Sequence, residues 1–332
     1  MKPLRGFAAL AVAAAAATMI GSPSEAKTGA ASDDSVRYAW LKSCPKKDYT
    51  IPCGDWTLTM RSGKTIKLTD ARVFPKKANG KVDKETSTSL SVSGDGRFVS
   101  YLRGDKLVVR DVNSGKVRPL PGKAASLPKR LAQGALHTLF SPDGSIIVID
   151  YYDENDKLPT LVVNLKTGKT IKLSSKNNVM SFSPDGEHLL TTRATDDNTT
   201  VFAVFDAEGH ETASQVVPQI VSNNAPIALA DDGSTVALIV TGGSNKARLR
   251  TYDLSSDTVS DAVPLSVPKD EGPQQLDWDP AGTLTLWTNR EGSKGDIASI
   301  VKRTVNAETG ATHKLDSFRV KNEPWTWSLP GA

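Results

Sequence analysis

Short runs of alternating apolar and polar residues, separated by turn residues, fill most of the chain. One stretch shows the order: Val179–Ser183, His188–Arg193, Thr200–Asp206 and Thr212–Val217 are divided by a tight turn, a polar loop and a second turn. A period of two is typical of half-buried β-strands. Beyond the N-terminal segment we find no sustained helical periodicity, so the pattern predicts an all-β protein built from four-stranded antiparallel units.

A five-residue phrase marks the first turn of each unit. Full copies, Phe-Ser-Pro-Asp-Gly, stand at 140–144 and 182–186, and degenerate copies at 92–96, 229–233, 278–282 and 327–331. Their glycines are 48, 42, 47, 49 and 49 residues apart, a period that indicates a propeller or a solenoid. Proline presets φ, aspartate bonds the local backbone and glycine takes the positive-φ position, so each phrase predicts a strand entering a hairpin.

The two ends of the chain each carry part of one four-stranded unit. Trp325–Ser328 has the pattern of a first strand only, and Val36–Leu41, Asp55–Met60 and Lys64–Leu68 have the pattern of the other three. A blade shared between the termini leaves no open sheet edge. We therefore predict a six-bladed β-propeller with four antiparallel strands per blade, closed by N- and C-terminal strands; seven blades are the alternative.

The repeated phrases also carry a family resemblance. Aromatic-Ser-Pro-Asp-Gly followed by a β-branched strand, together with turns such as Asp111 to Gly115, resembles the blades of TolB-type, WD-repeat-like β-propellers. The resemblance covers about residues 36–331; among the degenerate copies, 92–96 lacks the proline and 278–282 lacks the aspartate. It implies a fold and little about function, since such propellers include envelope scaffolds, domains attached to peptidases and secreted proteins of unknown role.

The N-terminus has the features of an export signal. Lys2 and Arg5 precede the apolar run Phe7–Ile20, and Ser24-x-Ala26 is a small-residue cleavage pattern. We predict a signal peptide at 1–26, a disordered lead-in at 27–35 and the propeller at 36–331, with a membrane anchor as the alternative to cleavage. The mature chain is then a secreted or extracytoplasmic bacterial protein without a membrane span, and we expect a monomer.

Charge and cysteine content narrow the function classes. The formal net charge is +4, with basic and acidic residues interspersed, which does not suggest nucleic acid as a partner. Cys44 and Cys53, the two cysteines of the chain, stand nine positions apart. In an exported chain this spacing favours a disulfide. A metal pair is the competing interpretation, but no histidine stands near them.

Counting back from each turn glycine predicts which side chains face the central channel. Residues four and six positions before the glycine are mostly large and apolar, and we expect them to pack between blades. Those five and seven positions before should point into the channel. In this second set are His137, Gln275 and Asp277, which could orient a small ligand or a single ion; a solvated lining without a ligand is the alternative.

No catalytic constellation emerges from the sequence. There is no Gly-x-Ser-x-Gly elbow, the four histidines fall on different kinds of strand and turn, and Asp277 stands alone at its level of the channel. Two acidic loops, Asp153–Asp156 and Asp196–Asn198, offer oxygen ligands but lack the spacing of a calcium loop, which favours solvated hairpin tips. We expect no metal and no cofactor.

Three irregular segments predict a binding face. The insertion Pro121–Gly134 carries the adjacent cations Lys129 and Arg130, and we expect it to share one side of the propeller with the loops Pro264–Gln274 and Cys44–Cys53. Loops on a rigid scaffold commonly carry binding function. The sequence thus favours a secreted, non-catalytic propeller that binds a protein or cell-envelope component through this face; a small-molecule hydrolase or lyase acting in the channel is the alternative.

Overall fold

A computed structural model describes residues 34–153, 157–242, 246–292, 297–320 and 324–332. The expected signal peptide and residues 27–33 of the expected lead-in lie outside these ranges. The last two lead-in residues, Asp34 and Ser35, are part of the fold. The backbone N–H of Ser62 donates to Asp34 Oδ1 at 3.1 Å, and that of Arg61 donates to the Ser35 carbonyl at 2.8 Å.

The described residues form six antiparallel sheets, which confirms the predicted six-bladed propeller. Blade 1 consists of β4 (Ser91–Val92), β5 (Phe98–Arg103), β6 (Lys106–Asp111) and β7 (Val117–Pro119). Blade 2 consists of β8 (Leu136–Phe140), β9 (Ile146–Tyr151), β10 (Thr160–Asn164) and β11 (Thr170–Leu173). Blade 3 consists of β12 (Asn178–Phe182), β13 (His188–Ala194), β14 (Thr200–Asp206) and β15 (Glu211–Val217).

The remaining blades follow the same order with one interruption. Blade 4 consists of β16 (Ile227–Leu229), β17 (Thr235–Thr241), β18 (Ala247–Asp253), β19 (Thr258–Val259) and β20 (Val263–Pro264). Blade 5 consists of β21 (Glu271–Trp278), β22 (Leu284–Glu291), β23 (Ile297–Val305) and β24 (Thr312–Arg319). In blade 4 the outer strand is split into β19 and β20, which both pair with β18. The described helices are single turns at Gly122–Ala125, Gln133–Ala135 and Gln219–Ser222, and none is long and apolar enough to cross a membrane.

Blade 6 closes the ring with strands from both ends of the chain. It consists of β25 (Pro324–Ser328), β1 (Val36–Lys46), β2 (Tyr49–Met60) and β3 (Thr65–Leu68). Trp327 of β25 is paired with Trp40 of β1, and the segment after β25 continues onto blade 1, where Pro330 bridges to Val92. The sharing of one blade between the termini, predicted from the partial repeats, is confirmed.

The recurring serine and aspartate have a structural purpose in the turns. In the turn at 141–146, Ser141 Oγ accepts from the Ile146 N–H at 2.9 Å and donates to Asp143 Oδ1 at 2.8 Å, and Asp143 Oδ1 also accepts from the Ser145 N–H at 2.9 Å. Gly144 has φ of +68°, and a Cβ there would lie 2.4 Å from the Phe98 ring. Local backbone bonding therefore explains these aspartates, and they need no ligand.

Each pair of neighbouring blades shares one apolar cluster, so both faces of every blade are buried. The expected division of the inner strands is consequently wrong in part. Leu139 and Ala228, expected to face the channel, also pack in clusters between adjacent blades, as do Phe140 and Leu229 on the opposite faces. A strand buried on both faces packs both halves of its alternation against neighbours.

Two β-bulges change further orientations. The pairing of β12 with β13 skips Met180, whose side chain is 39% exposed although its position predicted interblade packing. The pairing of β25 with β1 skips Trp325. Trp325 packs on the cluster between blades 6 and 1, whereas Trp327 packs on the cluster between blades 5 and 6. An extra residue in one strand turns its side chain out of the regular alternation.

Cys44 and Cys53 form a disulfide with a Cα–Cα distance of 5.9 Å, as predicted. The segment between them is not an irregular loop: β1 and β2 remain paired as far as Lys46 and Tyr49, and only two residues form the turn. The disulfide therefore crosslinks two strands of an extended hairpin.

We expect the double substitution Cys44→Ser with Cys53→Ser to lower the free energy of unfolding by about 2 kcal/mol. A closed loop of this length contributes roughly 2.5 kcal/mol in the chain-entropy model, and residual hairpin structure in the unfolded chain reduces that value. Urea unfolding of both proteins measures the difference. A variant as stable as the wild type would show that strand pairing alone holds the hairpin.

Candidate functional site

The two ends of the central channel differ in construction. We call one side the rim: it carries the hairpins between second and third strands and the connections between blades. The opposite side, which we call the turn side, carries the short turns between first and second and between third and fourth strands. One cavity opens at each end, of about 470 Å³ at the rim and about 390 Å³ at the turn side.

The rim-side cavity contains two of the predicted site residues, His137 and Gln275. His137 is half-buried on β8, where its ring lies 5.9 Å from that of Tyr152. Burial lowers the pKa of His137, and the negative charge of Asp150 partly opposes this shift. The remaining lining is rich in hydroxyl groups, from Ser87, Thr88, Ser89, Thr138, Thr326 and Ser328.

The last residues of the chain lie between the two cavities. Leu329 and Ala332 line the rim-side cavity, while Pro330 and Gly331 line the turn-side one. Gln275 fixes this segment, because its Nε2 donates to the Pro330 carbonyl at 2.9 Å and also contacts Asp277 Oδ2 at 3.1 Å. Gln275 and Asp277 are thus in contact, as neighbours on the channel strand, whereas His137 and Asp277 face different cavities.

The turn-side cavity has mainly apolar walls. They come from blades 2 to 6: Leu139, Phe140, Phe182, Ala228, Leu276, Trp278, Trp287 and the turn prolines at 142, 184, 280 and 330. The lining also carries charges: the cations Arg61 and Lys302, and the carboxylates of Asp277 and of the turn residues Asp95, Asp143 and Asp279. A cavity of this size, apolar with a few polar groups, is the usual form of a small-molecule site.

Two ionisable side chains of this cavity, Asp277 and Lys302, have pKa values that are shifted by burial. Burial raises the pKa of Asp277 to about 6, although Gln275 and Lys302 both act in the opposite direction. Burial also lowers the pKa of Lys302, whose ammonium group lies 5.1 Å from the centre of the Trp287 ring. Charged groups disfavoured by desolvation cluster at functional sites.

Two polar atoms of the wall lack hydrogen-bond partners among the described residues. They are Ser181 Oγ and Trp278 Nε1, and both are buried. Such groups are uncommon in native proteins and call for an explanation. The sequence pattern does not bring Ser181, Trp278 and Lys302 together, because their meeting depends on strands from two blades.

Lys129 and Arg130, the other predicted site residues, line neither cavity and are exposed in the rim insertion. Arg130 has a φ of +67°, and neither side chain forms an ion pair with another described residue. By contrast, Lys76 on the rim forms an ion pair, with its Nζ 2.8 Å from Asp105 Oδ2. These two charges are therefore available to a partner.

The rim itself differs from the expected set of three loops. Pro264–Gln274 is an irregular loop only from 265 to 270, since Pro264 belongs to β20 and Glu271 begins β21, where its buried carboxylate pairs with Arg303 at 2.9 Å. The sequence missed residues 69–90, the long connection from blade 6 to blade 1. Lys76 in this connection bonds to Gln133 of the insertion, with the Gln133 N–H donating to the Lys76 carbonyl at 2.8 Å.

The structure describes only one of the two acidic loops in full. Three residues of Asp153–Asp156 fall outside the described ranges, and the loop Asp196–Asn198 is closed by bonds between Thr195 and Thr199, including a 2.9 Å backbone bond. Within the described parts of the chain, no three His, Cys, Asp or Glu side chains are grouped closely enough to hold a metal ion.

No family model matches the chain, and no curated protein matches it in sequence. Solved structures do. The structural neighbours are TolB and other WD40-like β-propellers. TolB from Acinetobacter baumannii aligns at 12% identity and a TM-score of 0.49, covering 89% of this chain and 67% of that one.

Two further solved structures have a similar fold. A protein assigned as TolB from Agrobacterium tumefaciens aligns at 13% identity and a TM-score of 0.45, over 75% of this chain and 90% of that one. The propeller domain of the Trilobed protease from Pyrococcus furiosus aligns at 11% identity and 0.44, over 84% of both chains. At these identities the likeness concerns the propeller fold alone.

Proposed function

We propose that this protein is a non-catalytic propeller that acts outside the cytoplasm and binds a protein or cell-envelope component through its rim. The disulfide between Cys44 and Cys53 is compatible with an extracytoplasmic location. A propeller offers a rigid base from which loops of different length can contact a partner.

The distribution of exposed apolar side chains carries the proposal. Among the described residues, the exposed large apolar side chains are Tyr49, Val82, Tyr152, Met180, Val216, Ile220 and Leu315. Four of these belong to rim connections or hairpin tips: Tyr49, Val82, Tyr152 and Ile220. None of the seven lies in a turn of the turn side. Exposed aromatic and aliphatic groups gathered on one face are typical of a surface that contacts another macromolecule.

The rim also combines order with available charge. Its connections are bonded to one another, for example through Gln133 Nε2, which donates to Asp105 Oδ1 at 2.9 Å. Lys129 and Arg130 project from this ordered surface without ion partners among the described residues. A preordered surface loses little conformational entropy on binding. Two unpaired cations suit an acidic region of the partner.

The arrangement in the channel favours binding over catalysis. A hydrolase or lyase using His137, Gln275 and Asp277 would need all three to face one substrate. His137 lines the rim-side cavity and Asp277 the turn-side cavity, with the chain's last residues between them. The three residues therefore do not form one acid–base constellation.

Charge reversal tests the rim. Lys129→Glu with Arg130→Glu should reduce capture of the partner from envelope extract about tenfold, and more strongly at low than at high salt, because exposed charges act through screened attraction. The matched control is Lys116→Glu with Lys169→Glu, which makes the same charge change in two exposed turns of the turn side. Loss of the partner in the control but not in the rim variant would contradict the proposal.

A further inference from the structure

One face of blade 5 presents two opposite charges to the turn-side cavity. Asp277 on β21 is paired with Thr285 on β22, and Trp287 on β22 is paired with Lys302 on β23. Paired residues of antiparallel strands share a face, as do residues two apart on one strand. Asp277, Trp287 and Lys302 therefore form a row that runs outward from the channel.

The two charges of this row do not neutralise each other directly. No ion pair within 4 Å joins Asp277 to Lys302 or to any other described cation. Elsewhere in the same blade, the buried carboxylate of Glu271 accepts hydrogen bonds from Arg303 at 2.9 and 3.1 Å and is fully paired. A buried charge without such pairing destabilises a fold. Asp277 accepts from Gln275 Nε2 and the Lys302 ammonium lies over the Trp287 ring, but these half-buried groups have no ion partner within 4 Å among the described residues.

The wall around the two charges is apolar and aromatic. Phe140 and Phe182 contribute from blades 2 and 3, and Trp278 and Trp287 from blade 5. The volume of about 390 Å³ is enough for a small organic molecule and far below that of a folded partner. A ligand there needs an apolar body, a cationic group for Asp277 and an anionic group for Lys302.

We propose that the turn-side cavity binds a small zwitterion with an apolar body, of which free apolar amino acids are the simplest examples. The ligand's ammonium group pairs with Asp277, its carboxylate pairs with Lys302, and its side chain packs on the aromatic wall. Arg61 also lines the cavity, but its guanidinium lies 3.4 Å from Asp316 Oδ2, so the ligand carboxylate is assigned to Lys302. This site is separate from the rim, so either proposal can fail without the other.

Titration of the purified protein with L-phenylalanine and L-leucine tests the site. We expect a dissociation constant of about 1 mM or lower for at least one of them, which is a modest affinity for ligands of this size. Isothermal calorimetry gives the constant, and tryptophan fluorescence reports the contact with Trp278 and Trp287. Absence of binding by both up to about 10 mM overturns the proposal.

Analogues lacking one charge test the zwitterion itself. N-acetyl-L-phenylalanine has no ammonium group and L-phenylalaninamide has no carboxylate, so each should bind about tenfold more weakly than L-phenylalanine. Equal binding by either analogue overturns the assignment of the corresponding charge. This comparison uses the wild-type protein and does not depend on a variant that folds.

Matched substitutions locate the site. Asp277→Asn and Lys302→Met should each weaken L-phenylalanine binding about tenfold. Asp150→Asn changes a buried carboxyl group of blade 2, and Lys314→Met changes an exposed cation of blade 5; both lie outside the cavity and should leave binding unchanged. Unchanged binding in both cavity variants would place the ligand elsewhere and overturn the proposal.

Discussion

Deletion of residues 324–332 should lower the melting temperature by at least about 10 °C. The segment supplies the innermost strand of blade 6, and Trp325 and Trp327 fill clusters on its two faces. Truncating one buried tryptophan to alanine costs about 3 to 5 kcal/mol; these two are half-buried, so the lower value applies to each. For a domain of this size, each kcal/mol shifts the melting midpoint by roughly 2 to 4 °C.

Two shorter changes separate the contributions within this segment. Trp327→Ala alone should cost about 3 kcal/mol, because it removes a ring that packs on the cluster containing Tyr38 and Trp287 while keeping the strand. Removal of Ala332, an exposed residue after the strand, should leave the midpoint nearly unchanged. Calorimetric scans of the three proteins give the comparison. A deletion variant that melts within a degree or two of the wild type would show that blade 6 is stable with three strands.

Asp277→Asn should stabilise the protein by about 2 to 3 kcal/mol at pH 7.5. The carboxyl group has a pKa of about 6 in the fold, against about 3.9 in an unfolded chain. Below pH 4 both states hold the proton, and the residue does not affect stability. As the pH rises from 4 to 6, the unfolded chain releases the proton while the native state keeps it, so stability is lost; above pH 6 the loss is complete. Asparagine removes this loss.

The pH dependence of the difference is the check. Urea unfolding at pH 7.5 and at pH 4 should show the gain at the first and little at the second. Asp143→Asn should change the stability in the opposite direction. Backbone and side-chain hydrogen bonds in its turn hold the Asp143 pKa below the ordinary value, so losing this charge should destabilise the protein at neutral pH. An Asp277→Asn variant less stable than the wild type at pH 7.5 would show that the carboxylate is part of the structural framework.

Local turn chemistry explains why the strands and the closure were predictable. Ser141, Asp143 and Gly144 act within six residues of each other, so a repeated phrase is enough to place a hairpin. The partial repeats at the two chain ends likewise required only the assumption that a blade has four strands. Contacts that depend on the pairing register were not predictable in this way: the bulges at Met180 and Trp325 change the alternation without a sequence signal.

The candidate sites also differ in whether local sequence or strand register determines them. Lys129 and Arg130 were found from the sequence because an insertion interrupts a regular repeat. The turn-side cavity was not found, since Asp277 and Lys302 are 25 positions apart and meet only because β21, β22 and β23 pair in a particular register. His137 and Asp277 were grouped because both were expected to face the channel, but they stand seven and five positions before their turn glycines and line cavities at different ends of it.

Site-specific photocrosslinking tests the rim as the binding face most directly. A photoreactive amino acid at position 129 or 152 on the rim, and at position 116 or 169 on the turn side, would be activated in intact cells that produce the protein. We predict that both rim positions yield the same crosslinked protein or envelope component, identified by mass spectrometry, and that the turn-side positions do not. Crosslinking of that component from positions 116 and 169, with none from 129 and 152, would contradict the account.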